Sequence, residues 1–139
     1  MSEEHDPELE RIRQRKLEEL QRNMSEEKQS GNWPSSPVPV TDSTFDDFIN
    51  KYNNVVIDCW APWCGPCRMV EPIVEELAKE HHGKIAFGKL NTDESQGIAM
   101  RYHIMSIPTL LVFKNAQLID QVVGAMPKKM LEAMIMKNL

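Results

Sequence analysis

The chain has 139 residues, 41% hydrophobic and 27% charged, with 16 Lys and Arg against 21 Asp and Glu for a formal net charge of −5. That length fits one core of ordinary domain size with something appended. The acidic balance argues against nucleic acid as the main partner, no apolar run of about eighteen residues offers a membrane span, and a terminus charged from Glu3 onward does not read as a signal peptide.

Residues 1 to 30 carry nine acids and six bases. Asp6 is a candidate N-cap with Pro7 at the first helical position, and Leu9, Ile12, Leu17, Leu20 and Met24 fall in one stripe on a helical wheel. Two readings stay open: a solvated, frayed helix or disordered segment of little consequence, and a helix that pairs with a partner or a second copy through residues 7–24. Gly31 to Val40 is a linker by its Gly, Ser and three prolines, and its end offers an edge strand, where proline is tolerated. Trp33 within it either docks on the domain or stays exposed. The expected division is a charged extension and linker over 1–37 and a folded domain over 38–139.

The domain opens with a helix near Ser43 or Thr44, capped from Thr41-Asp42-Ser43, whose Phe45, Phe48, Ile49 and Tyr52 share a face. Val55 to Trp60 is an apolar, β-branched run of strand length, and Val70, Ile73, Val74, Leu77 and Ala78 repeat with helical spacing. Pro72 falls inside that helix and removes one hydrogen bond. Lys84 to Leu90 is the next strand, Asp93 a candidate cap for a short helix ending near Tyr102, and Thr109–Phe113 and Leu118–Val123 two strands about a tight turn. A last helix starts at Pro127. This order predicts an α/β fold: a mixed central sheet of four to five strands with helices on both faces.

Cys64-Gly65-Pro66-Cys67 lies where the first long strand ends and its helix begins. Unpaired N–H groups and a partial positive charge at a helix N-terminus stabilise a thiolate, so Cys64 is the expected nucleophile and Cys67, one turn inside, the resolving thiol. The alternative, half of a zinc site, needs a second pair of ligands; Cys59 is alone and His81-His82 are adjacent, so no metal is expected. In a reducing compartment three cysteines point to redox catalysis rather than to a structural framework, and the cytoplasm is the expected location. Asp58, in an apolar strand six residues before Cys64, is expected to be desolvated with a raised pKa. Cys59 points away from Asp58 and reads as a small buried hydrophobe, with a regulatory thiol as the alternative.

Asp58-Cys59-Trp60-Ala61-Pro62-Trp63-Cys64-Gly65-Pro66-Cys67, Lys89 to Asp93, Ser106-Ile107-Pro108-Thr109-Leu110 and Val123-Gly124-Ala125 together resemble the thioredoxin family in order and spacing, over about residues 38–139. Cys59 and Asn115-Ala116 depart from its usual pattern of a bulky apolar residue and Asn-Gly. The resemblance implies a thioredoxin-like fold and a reductase of protein disulfides without a cofactor, served by a thioredoxin-reductase-type electron donor. It implies that Asp58 is the buried acid exchanging the proton of the resolving thiol, with Lys89 near it, and that Pro108 is cis and faces the disulfide. Trp60, Trp63, Gly65, Pro66, Ile107, Pro108, Gly124 and Ala125 would form the substrate rim, with Ile107 offering backbone groups to an extended polypeptide. A disulfide oxidase or isomerase, and a binding scaffold that keeps the fold while the N-terminal helix selects partners, are the competing functions.

Overall fold

The computed structural model describes residues 7–30 and 33–139, with side chains described for 7–19 and 33–139. The Asp6 cap and the side chains of Leu20 and Met24 therefore lie outside the described residues. Helix α1 spans Pro7–Ser30, with Pro7 as its first residue and Leu9, Ile12 and Leu17 exposed. No described helix is long and apolar enough to cross a membrane.

Five strands follow: β1 (Val38–Val40), β2 (Asn54–Trp60), β3 (Ala86–Asn91), β4 (Thr109–Lys114) and β5 (Gln117–Val123), in sheet order β1-β3-β2-β4-β5. The first three are mutually parallel and β4 and β5 antiparallel, so the sheet is mixed as expected. Proline-containing β1 takes the edge. Four helices cover the sheet: α2 (Phe45–Lys51), α3 (Gly65–Glu80, running through Pro72), α4 (Gln96–Arg101) and α5 (Lys128–Met136).

Alternation along β2 divides the core in two. Val55, Ile57 and Cys59 join Phe45, Phe48 and Ile49 of α2 and Ile98 of α4 on one face. Val56 joins Val70, Val74 and Leu77 of α3 and Leu131 and Ile135 of α5 on the other. Asp58 follows Val56 by two residues and so points toward α3. An apolar side chain there would contribute about 1.5–3 kcal/mol by burial, whereas a buried carboxylate costs stability. Packing alone does not account for an acid at this position.

Two expectations change, and one open alternative is decided. The strand after α3 starts at Ala86 rather than Lys84, because Lys84 and Ile85 N–H groups both donate to the His81 carbonyl at 2.9 Å and close a turn first. Asp93 does not cap α4: the Asp42 carboxylate accepts from the Gly97 and Ile98 N–H groups at 3.0 and 2.8 Å, across some fifty-five residues of sequence. Asp42 is thus diverted from α2, whose own start uses Phe45 N–H to the Thr41 carbonyl at 2.9 Å and no side-chain cap. Trp33 docks rather than dangles: it is 5% exposed, its ring centroid lies 4.9 Å from that of Tyr52, and its carbonyl accepts from His82 Nε2 at 2.9 Å.

Candidate active site

The β2 strand ends at Trp60, whose carbonyl accepts from both the Thr92 N–H (2.8 Å) and the Thr92 hydroxyl (3.1 Å). A turn closed by Cys64 N–H to the Ala61 carbonyl, 3.1 Å, then brings the chain to Cys64, the N-cap of α3. Cys64 and Cys67 are joined as a disulfide with Cα atoms 5.3 Å apart. Cys64 Sγ also accepts from the Cys67 N–H at 3.2 Å, so the sulfur occupies the position of a capping oxygen among unpaired helix N–H groups. Gly65 and Pro66 form the exposed first turn.

Ala61 clusters with the two cysteines, and Trp60 and Ile107 pack against that cluster. The Ile107–Pro108 bond is cis. Gly124 is placed beside Pro108 by its N–H donating to the Pro108 carbonyl at 2.9 Å; its φ of 96° suits glycine, and exposed Ala125 follows it. Trp63 is 71% exposed, yet its Nε1 donates to both Asp93 carboxylate oxygens at 3.1–3.2 Å. A shallow groove beside it is lined by Thr92, Ile104, Met105, Ser106 and Ile107. The resemblance named neither Asp93 as the anchor of Trp63 nor Met105 on the groove; only the fold brings them there.

Behind the disulfide is a cavity of about 100 Å³ lined by Asp58, Trp60, Ala61, Pro62, Cys67, Arg68, Glu71 and Lys89. Asp58 is 4% exposed and its Oδ1 has no hydrogen-bond partner among the described residues. Burial first, then the charge of Glu71, pushes its carboxyl up to about 7, while the Lys89 ammonium pulls the other way. Cys59, on the opposite face, is fully buried, and burial with the Asp58 charge raises its thiol to about 12. It sits as the small buried hydrophobe expected. No three His, Cys, Asp or Glu side chains converge as metal ligands among the described residues.

A redox disulfide capping a helix, a buried acid behind it and a cis-proline before it match one family of proteins. The thioredoxin family model matches residues 36–137. The chain belongs to the thioredoxin family. It is 50% identical to thioredoxin 1 of Nostoc over 106 residues, covering 76% of this chain and 99% of that protein. It is 54% identical to the chloroplastic M-type thioredoxin of Pisum sativum over 99 residues, 70% of this chain and 58% of that one. Among solved structures, an N21Q mutant thioredoxin from Halobacterium salinarum superposes with a TM-score of 0.71 at 34% identity, covering 76% of this chain and 92% of its own. The protein is a thiol–disulfide oxidoreductase, with Cys64 and Cys67 as its exchanging pair and protein disulfides as its substrates.

Proposed function

We propose that the reduced protein attacks a target disulfide with Cys64 and that Cys67 resolves the product. The observation that carries this is the capping position of Cys64 Sγ: with the disulfide open, the same helix N-terminus stabilises negative charge on that sulfur. Cys64 thiolate displaces one sulfur of the target disulfide, which leaves as a thiolate and takes a proton from water. Cys67 gives its proton to the Asp58 carboxylate and attacks Cys64 Sγ. The second target sulfur leaves and the Cys64–Cys67 disulfide forms. Asp58 and Lys89 are the proton-handling pair. Trp60, Trp63, Gly65, Pro66, Ile107, Pro108, Gly124 and Ala125 are the target-binding rim, apolar enough to serve many polypeptides.

Both cysteines and Gly-Pro between them favour a reductase over an oxidase or a redox-dead scaffold. Electrons come from a thioredoxin-reductase-type donor, in the cytoplasm and without a bound cofactor. Residues 1–37 form the charged extension and linker to the domain of 38–139, with Trp33 of the linker docked on that domain and residues 7–24 available to a partner or a second copy. Trapping tests the assignment: Cys67→Ser should hold targets and donor on Cys64 as mixed disulfides, and Cys64→Ser should hold none. Capture by the second variant instead would reverse the two roles.

A further inference from the structure

Glu71 lies one helical turn beyond Cys67 and is exposed, so by sequence it is an ordinary surface acid. Its place in the cavity is not ordinary. Of the residues lining that cavity, Asp58, Ala61 and Cys67 are buried, Asp58 with its Oδ1 unpartnered among the described residues, while Pro62, Arg68 and Glu71 are exposed. We propose that Glu71 is a positioning residue for the release step, its carboxylate standing between Asp58 and solvent and passing outward the proton that Asp58 takes from Cys67. This rests on the exchange reaction proposed above.

The balance of the step is simple. Cys67 loses a proton to Asp58, its sulfur forms a bond to Cys64 Sγ, and the bond from Cys64 to the target sulfur breaks with its electron pair leaving on the target. Asp58 must then return to the carboxylate, and its proton has to cross the cavity. A second carboxylate at the exposed wall provides an acceptor there. It also acts at a distance: after burial, Glu71 is the next cause that raises Asp58's hold on its proton, which makes Asp58 the stronger base toward Cys67. The other charges on this cavity are Lys89 from β3 and Arg68 from α3, while β4 presents only Leu110 opposite Asp58. The Arg68 guanidinium is directed elsewhere, donating to the Pro62 carbonyl at 3.3 Å.

The test is a single-turnover measurement from pH 5 to 9. An aromatic thiol is loaded on Cys64 as a mixed disulfide and its release by Cys67 is followed by absorbance. In Glu71→Gln the acid limb should move to lower pH by on the order of half a unit, and the rate above it should fall several-fold. A carbon-13 titration of the Asp58 carboxyl should move in the same direction. Glu71→Asp should restore both readouts, and Glu75→Gln, one turn further along α3 and outside the cavity, should change neither. A Glu71→Gln profile that superimposes on the unmodified protein, an equal shift in Glu75→Gln, or no restoration by Glu71→Asp overturns the proposal. Failure of the unmodified protein to reduce insulin would instead overturn the reaction beneath it.

Discussion

Asp58 and Lys89 are register partners on the adjacent parallel strands β2 and β3, one buried and the other half-buried, both lining the cavity behind the disulfide. Lys89 opposes the two effects that raise the Asp58 carboxyl, burial and Glu71. Lys89→Met should therefore move the acid limb of the release step to higher pH, the reverse of the shift expected from Glu71→Gln. Equal displacements in one direction would show that the limb does not report Asp58.

Stability carries the same signature. The Asp58 carboxyl ionises near 3.8 when unperturbed and at about 7 in the fold, so between those values the folded state holds the extra proton. Stability contributed by this group is thus full below about pH 4 and declines as pH rises toward and past 7. Asp58→Asn should melt higher above neutral pH, by up to about 4 kcal/mol at roughly three units and 1.36 kcal/mol per unit, and show little gain at pH 4. Its release step should slow above pH 7, where the unmodified carboxylate is the acceptor. A uniform gain at all pH would trace the effect to packing.

Cys59 should be silent in chemistry. Buried and with its thiol raised to about 12, it presents almost no thiolate at neutral pH. Iodoacetamide should label Cys64 in the reduced native protein and reach Cys59 only with denaturant. Insulin reduction should vanish in Cys64→Ser and survive in Cys59→Ser; equal losses would mean that a different thiol attacks.

Trp33 sets where the chain tolerates cutting. Removing residues 1–32 should leave insulin reduction within about twofold and melting nearly unchanged, a shift within about 0.5 kcal/mol. Removing 1–36 also removes the indole packed at a tilt against Tyr52 and the carbonyl held by His82, and should cost about 3–5 kcal/mol, as should Trp33→Ala. Equal stability of the two truncations by chemical denaturation would show that the Trp33 contact contributes nothing.

The hairpin between β4 and β5 turns through Asn115 and Ala116, with φ of 51° and 67°. Both are left-handed, as a two-residue hairpin of this hand requires, and alanine fits such a position poorly. Ala116→Gly should raise stability by about 1 kcal/mol without altering turnover. A loss would mean that the packing of Ala116 against the core outweighs its backbone strain.

Periodicity gave away most of this fold because each element buries a full face. Val55 to Trp60 alternates between two cores and α3 repeats Val70, Val74 and Leu77, so both were legible from spacing alone. Capping was not. A carboxylate at Asp42 and a helix start at Gln96 are neighbours only after the sheet forms, and Asp93 sits at the more obvious distance. Cys64 and Cys67 declare themselves by spacing, and Asp58 by being an acid in an apolar run. Glu71 was concealed because an exposed glutamate four residues after Cys67 looks like solvated helix surface until the cavity beside it is known.

The indole of Trp63 offers most of its surface to solvent while both oxygens of Asp93 hold its nitrogen. A large exposed side chain ordinarily surrenders rotational freedom when a partner covers it, a penalty of about 0.5–1.5 kcal/mol per immobilised residue. Here much of that freedom is gone before any partner arrives. Asp93→Ala should then weaken capture of every target by a similar factor, through entropy and not through lost contacts. The ranking of targets would stay the same, since Asp93 acts on the indole and not on the polypeptide it meets.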